Sequence, residues 1–76
     1  MSHKLLVITS MHGYSVDSDF RTAMFNKYMC DVVIPNDAVV LYAGTVSIDE
    51  IQAIANECYA DINIEEVDDA VFDSYL

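Results

Sequence analysis

His3, His12, Cys30 and Cys58 together supply the donor atoms of a four-ligand zinc site. None of them pairs at the short Cys-x-x-Cys or His-x-x-x-His spacing through which such sites are recognised. Cys58 falls on the apolar stripe of one predicted helix and Cys30 at the end of another, which points to reduced core thiols. A single disulfide between them stays open on sequence alone, although small disulfide scaffolds usually carry four or more cysteines. A Cys–His nucleophile pair requires a thiolate held beside an imidazole, and no spacing here imposes that. The carboxylates could act as acid and base or as calcium ligands, but no D-x-D-x-D-G loop occurs, and Asp68 with Asp69 fits helix-start charge. The expectation is a non-enzymatic protein with no catalytic residue, no metal and no cofactor.

The loop from Ser10 to Ser18 follows a predicted strand and precedes a predicted helix, the place where phosphate binders set glycines and hydroxyls over a helix N-terminus. Here it holds one glycine, Gly13, and no Lys or Arg, while Asp17 and Asp19 stand where an anion would sit. Repulsion argues for an ordinary connection. A small-ligand site around His12 remains a subordinate alternative.

Charge is the strongest signal. All three Lys and Arg residues, Lys4, Arg21 and Lys27, and both histidines lie in the first thirty positions, whereas eleven of the 13 acids lie between Asp31 and Leu76. The net charge is −10 and 54% of residues are apolar, too apolar a composition for a disordered acidic tail. At 76 residues the chain is expected to form a single domain, 1–76, burying roughly 60% of the surface that its unfolded state exposes. The run Leu5 to Ile8 is too short for a signal-peptide core, and no apolar stretch approaches the roughly 18 residues of a membrane span. A cytoplasmic protein is predicted.

These residues need elements to hold them. Leu5 to Ile8 is a continuous apolar run suited to a strand covered on both faces. Phe20, Ala23, Met24 and Tyr28 recur at helical spacing over about Asp17 to Met29, with acids at the start and Lys27 near the end, as the helix dipole favours. Val32 to Ile34 and Ala38 to Ala43 flank Pro35-Asn36-Asp37 and predict a hairpin. Ser47-Ile48-Asp49-Glu50 is a capping box opening a second helix, striped by Ile48, Ile51, Ile54, Ala55 and Cys58. Ile62 and Ile64 alternate with Asn63 and Glu65, the pattern of a half-buried edge strand. A short C-terminal helix would be striped by Val67, Val71 and Tyr75, with Ala70 and Phe72. The order βαββαβ predicts an α+β, ferredoxin-like split βαβ fold with both main helices on one face of an antiparallel sheet. A three-stranded parallel βαβαβ unit is the alternative if Val32 to Ile34 is not a strand.

An acidic face of this density imitates a nucleic-acid backbone and would be steered into basic grooves. In size, charge and lack of a catalytic motif the chain resembles phage-encoded inhibitors of host defence and nucleic-acid enzymes, including anti-CRISPR proteins and inhibitors of restriction or repair. That resemblance covers no stretch of sequence. It implies a protein partner that is basic and handles nucleic acid, with no direct nucleic-acid contact, in the host cytoplasm if the chain is viral. The expected contacts are Asp61, Asn63, Glu65, Glu66, Asp68, Asp69 and Asp73, with Tyr59, Phe72 and Tyr75 as aromatic anchors. The competing expectations are that acidity only keeps the domain soluble, or that the chain is a homodimeric assembly subunit whose five tyrosines supply contact surface.

Overall fold

The computed structural model describes residues 3–76. Strand β1 (Lys4–Ser10) lies inside a four-stranded sheet of order β2-β3-β1-β4, with β2 (Val32–Pro35), β3 (Val39–Gly44) and β4 (Ile62–Glu66). Every pairing is antiparallel: Leu6 stands opposite Tyr42 of β3 and Glu66 of β4, and Val33 of β2 stands opposite Tyr42. β3 separates the two strands of the β1-α1-β2 unit, and β1 separates those of the β3-α2-β4 unit. The interleaving is that of a split βαβ fold, so the α+β expectation holds and the parallel alternative falls because Val32–Pro35 is a strand.

Helices α1 (Ser18–Lys27) and α2 (Ile48–Glu57) cover one face of the sheet. Leu6, Ile8, Val40, Tyr42, Val33 and Ile62 meet Phe20 and Met24 of α1 and Ile51, Ile54 and Ala55 of α2 in the larger core. Local chemistry fixes both helix starts. The Asp17 carboxylate accepts from the amides of Asp19 and Phe20 at 2.9 and 3.1 Å, and Ser47 Oγ accepts from the Glu50 amide at 3.3 Å. The β2–β3 turn is made by Asn36, whose side-chain oxygen accepts from the amides of Ala38 and Val39, both at 2.9 Å. Pro35 does not sit in the turn as expected but ends β2, opposite Val40, on an outer strand where a missing N–H is tolerated.

The opposite face of the sheet carries a second core of Val7, Val39, Leu41 and Ala43, closed by Phe72 of the short helix α3 (Asp69–Ser74). The C-terminal helix exists, but its predicted stripe does not: Phe72 alone is buried, whereas Ala70, Val71 and Tyr75 are exposed. One large ring fills the space above β1 and β3, and six residues give no second helical turn to bury another. The Val67 amide donates to the Leu5 carbonyl at 2.9 Å and carries the β4–β1 ladder one residue beyond β4 before the chain crosses to this face.

At the far end of β3, the fully buried Tyr42 hydroxyl donates to Asp31 Oδ2 at 2.9 Å and accepts from the Val46 amide at 3.0 Å. It ties the segments before β2 and after β3 together. Gly44 is required there, because a Cβ would run into the Tyr42 phenol and the Asp31 carboxyl. The Tyr28 ring meets Tyr42 edge-on, with centroids 5.8 Å apart. Burial, opposed by the Val46 amide and reinforced by Asp31, pushes the Tyr42 hydroxyl up to about 12 from an ordinary 10.0. The folded state therefore holds this proton more tightly than the unfolded chain does. Its contribution to stability is complete below about pH 10 and is lost as pH rises toward about 12. Tyr42→Phe, which strands a carboxylate and an amide, should lower unfolding free energy by about 1–3 kcal/mol in urea titrations at neutral pH. Its stability should also fall less steeply than wild type across the alkaline window.

Candidate functional site

Three connections converge where β1 ends and β4 begins. The β1–α1 loop turns at Gly13, whose φ of 75° needs a left-handed backbone, and the Met11 amide donates to the Asp61 carbonyl at 3.1 Å. The β2–β3 turn reaches the same loop: the Val16 amide donates to the Asp37 carbonyl at 2.8 Å, and Arg21 spans Asp37 Oδ1 at 3.3 Å and the Val16 carbonyl at 3.0 Å. Between this loop and the α2–β4 connection lies an open cleft of about 730 Å³, with His12, Tyr14 and Asp17 on one side and Tyr59 and Asp61 on the other. His12 Nε2 lies 3.0 Å from Asp61 Oδ2 across it, both side chains well exposed. The amides that a phosphate would use at the start of α1 are held by the Asp17 carboxylate, so a phosphate-cradling loop is not formed.

The expected acidic contacts occupy a neighbouring strip. Ile62 and Ile64 pack toward α1 and α2, so Asn63 and Glu65, opposite Thr9 and Val7, stand on the α3 side of the outer strand β4. Asp61, Glu65, Glu66, Asp68, Asp69 and Asp73 are all exposed along β4, its crossing and α3, with Glu66, opposite Leu6, on the α1–α2 side of the strand and Glu65 on the other. Asp68 has a structural duty as well, its carboxylate accepting from the Val71 amide at 2.9 Å. Of the Lys and Arg side chains only Arg21 makes an ion pair among the described residues, and it pairs with Asp37.

Two expectations need correction here. The acidic half does not gather on one face as a block: Asp31 and Asp37 bracket β2 at the opposite edge of the sheet, and Asp49, Glu50 and Glu57 lie on α2. The split topology sends β2 and β4 to opposite edges, so of these acids only Asp61 to Asp73 follow one another along the β4 edge and into α3. Phe72 is no anchor, being 6% exposed beneath its own helix, whereas Tyr59 is 94% exposed and Tyr75 is half exposed. Tyr14, 81% exposed, lines the cleft yet was not among the expected contacts of the acidic face, and neither was the well exposed Met11 of the same loop. An aromatic in a polar loop carries no periodicity to mark it.

Both cysteines are free, and Cys30 is exposed rather than in the core, since Tyr28 closes α1 and the chain has already turned outward. Cys58 is partly buried against the larger core. Burial, with the Asp17, Asp19 and Glu57 carboxylates adding to it, pushes its thiol up and away from the thiolate that a nucleophile requires. Among the described residues no three His, Cys, Asp or Glu side chains come together as a metal site would need. Among the described residues no helix is long and apolar enough to cross a membrane. Neither a family model, nor a curated protein, nor a solved structure matches this chain. Limiting iodoacetamide should label Cys30 well before Cys58 in the native protein, as read by peptide mass spectrometry. Equal labelling would show Cys58 to be more open and more acidic than its packing indicates.

Proposed function

We propose that this protein is a non-catalytic inhibitor whose acidic strip occupies a basic groove of a nucleic-acid-handling partner, as a nucleic-acid mimic does. It would act in the cytoplasm, as an anti-defence protein of the anti-CRISPR type if its source is viral. The supporting observation is the run of exposed carboxylates from Asp61 to Asp73, none of which is ion-paired to a Lys or Arg among the described residues, with Lys4 at the start of β1 as the one such side chain on the neighbouring strand. Neighbouring positions on such a strip lie well inside a Debye length of about 8 Å at physiological salt, so their fields act together on an approaching cation. Such a field raises association rates more than it slows release.

A second arrangement has an observation of its own. β2 is the other outer strand, and its Val32 is 52% exposed beside the half-exposed Ile34, an apolar edge on which a homodimeric subunit could pair. Doubling a charge of −10 opposes that association. A tight dimer in sedimentation that ignores basic proteins would favour it. The cleft beside His12 and Ser15 supports a small-ligand role, which a double substitution there without loss of biological effect would remove.

The acidic strip is tested by Glu65→Gln, Asp69→Asn and Asp73→Asn combined, leaving Asp68 to cap α3. Against a basic nucleic-acid-binding protein retained from extract at low salt, the triple variant should associate about tenfold more slowly, with dissociation little changed. Equal association rates for the two proteins would overturn the mimic proposal.

A further inference from the structure

Tyr59 occupies a backbone position that folding alone would give to glycine. After α2 and its cap residue Cys58, the Tyr59 amide donates to the Asn56 carbonyl at 3.2 Å and the Ala60 amide to the Ala55 carbonyl at 2.8 Å. This paired closure of a helix C-terminus sets its middle residue in the left-handed region, and Tyr59 has φ 55°. It is the one residue other than glycine with positive φ among those described. A Cβ-bearing aromatic is strained there relative to glycine, and the ring recovers little by packing, since Tyr59 is 94% exposed. A strained backbone that holds a bare aromatic outward stabilises nothing within the chain.

The surroundings indicate what the ring could receive. Tyr14 and Met11 are also exposed at this end, and Tyr14 lines the same open cleft. The nitrogen-bearing side chains of the cleft are turned toward the chain's own acids, Arg21 to Asp37 and His12 to Asp61. Asp17, Asp19 and Glu57 lie close enough to act on Cys58, the residue next to Tyr59. Aromatic faces rimmed by carboxylates suit a guanidinium, which stacks on a ring while its N–H groups reach flanking oxygens. We infer that Tyr59, with Tyr14 across the cleft, is the aromatic anchor that takes an arginine side chain from a cationic segment of a protein partner. The sign of that partner rests on the function proposed above; the anchor rests on the backbone and exposure of Tyr59.

The test measures anisotropy of a fluorescein-labelled oligoarginine peptide at low ionic strength, alongside thermal unfolding. Tyr59→Gly should keep or raise Tm, by roughly 4 °C at most, while weakening peptide binding about tenfold, as loss of one buried cation–aromatic contact does. Tyr59→Phe should bind nearly as wild type. Wild-type affinity in Tyr59→Gly overturns the anchor; if the triple acidic variant still binds more weakly, the mimic proposal survives without it. A Tm several degrees lower in Tyr59→Gly would show a structural ring and overturn the anchor too. Conversion of a dimer to a monomer by Tyr59→Gly would make a second copy the occupant and overturn the cationic segment. No wild-type binding to the peptide would overturn both proposals.

Discussion

The adjacent strands β1 and β3 are buried on both faces, and most other features of the molecule answer to that constraint. Leu6 and Ile8 point to one side and Val7 to the other, while every residue of β3 from Val39 to Gly44 is buried. A sheet with two apolar faces must be covered twice. The helices α1 and α2 cover the first face. The second is closed by a six-residue helix whose one useful side chain is Phe72. Each large apolar side chain so buried contributes about 1.5–3 kcal/mol, the source of stability that offsets self-repulsion at a net charge of −10.

The same constraint decides where the acids go. Carboxylates are excluded from both cores and from the interior strands, which leaves them helix ends, connections and the outer strand β4. Some acquire local duties in the process: Asp17 and Asp68 satisfy orphan amides at helix starts, and Asp31 accepts a hydrogen bond from the Tyr42 hydroxyl. The remainder stay in water. The strip from Asp61 to Asp73 is thus partly a by-product of β4 being an edge, where charge also discourages unwanted pairing with another chain. A surface that protects an edge and one that attracts a cation can be built from the same side chains.

Much of this was legible in the residues. The run Leu5 to Ile8 announced a doubly covered strand, Ser47 to Glu50 a helix start, and the alternation around Ile62 and Ile64 an edge, because each is a local pattern with a local cause. What depended on tertiary placement was not. The apolar spacing around Val71 and Tyr75 resembled a stripe, but a single turn of helix had room for only Phe72. Cys30 follows α1 in sequence, yet the chain leaves the core at Tyr28. At Tyr59 the usual signal was absent altogether, since a left-handed helix end is foreseen from Gly or Asn and not from an aromatic. The convergence of Tyr14, His12 and Asp61 joins residues 49 apart along the chain in the case of His12 and Asp61, a distance no spacing argument crosses.

The interleaving of strands has a consequence for how the chain becomes ordered. The first half, β1-α1-β2, holds its two strands apart with an empty lane between them, and β3 of the second half fills it; β1 fills the corresponding lane of the other unit. Neither half is an autonomous folding unit, because each lacks the backbone partners that only the other supplies. Ordering therefore requires long-range strand pairing early, which slows the search, and makes assembly of the sheet one all-or-none event with no stable half-built stage.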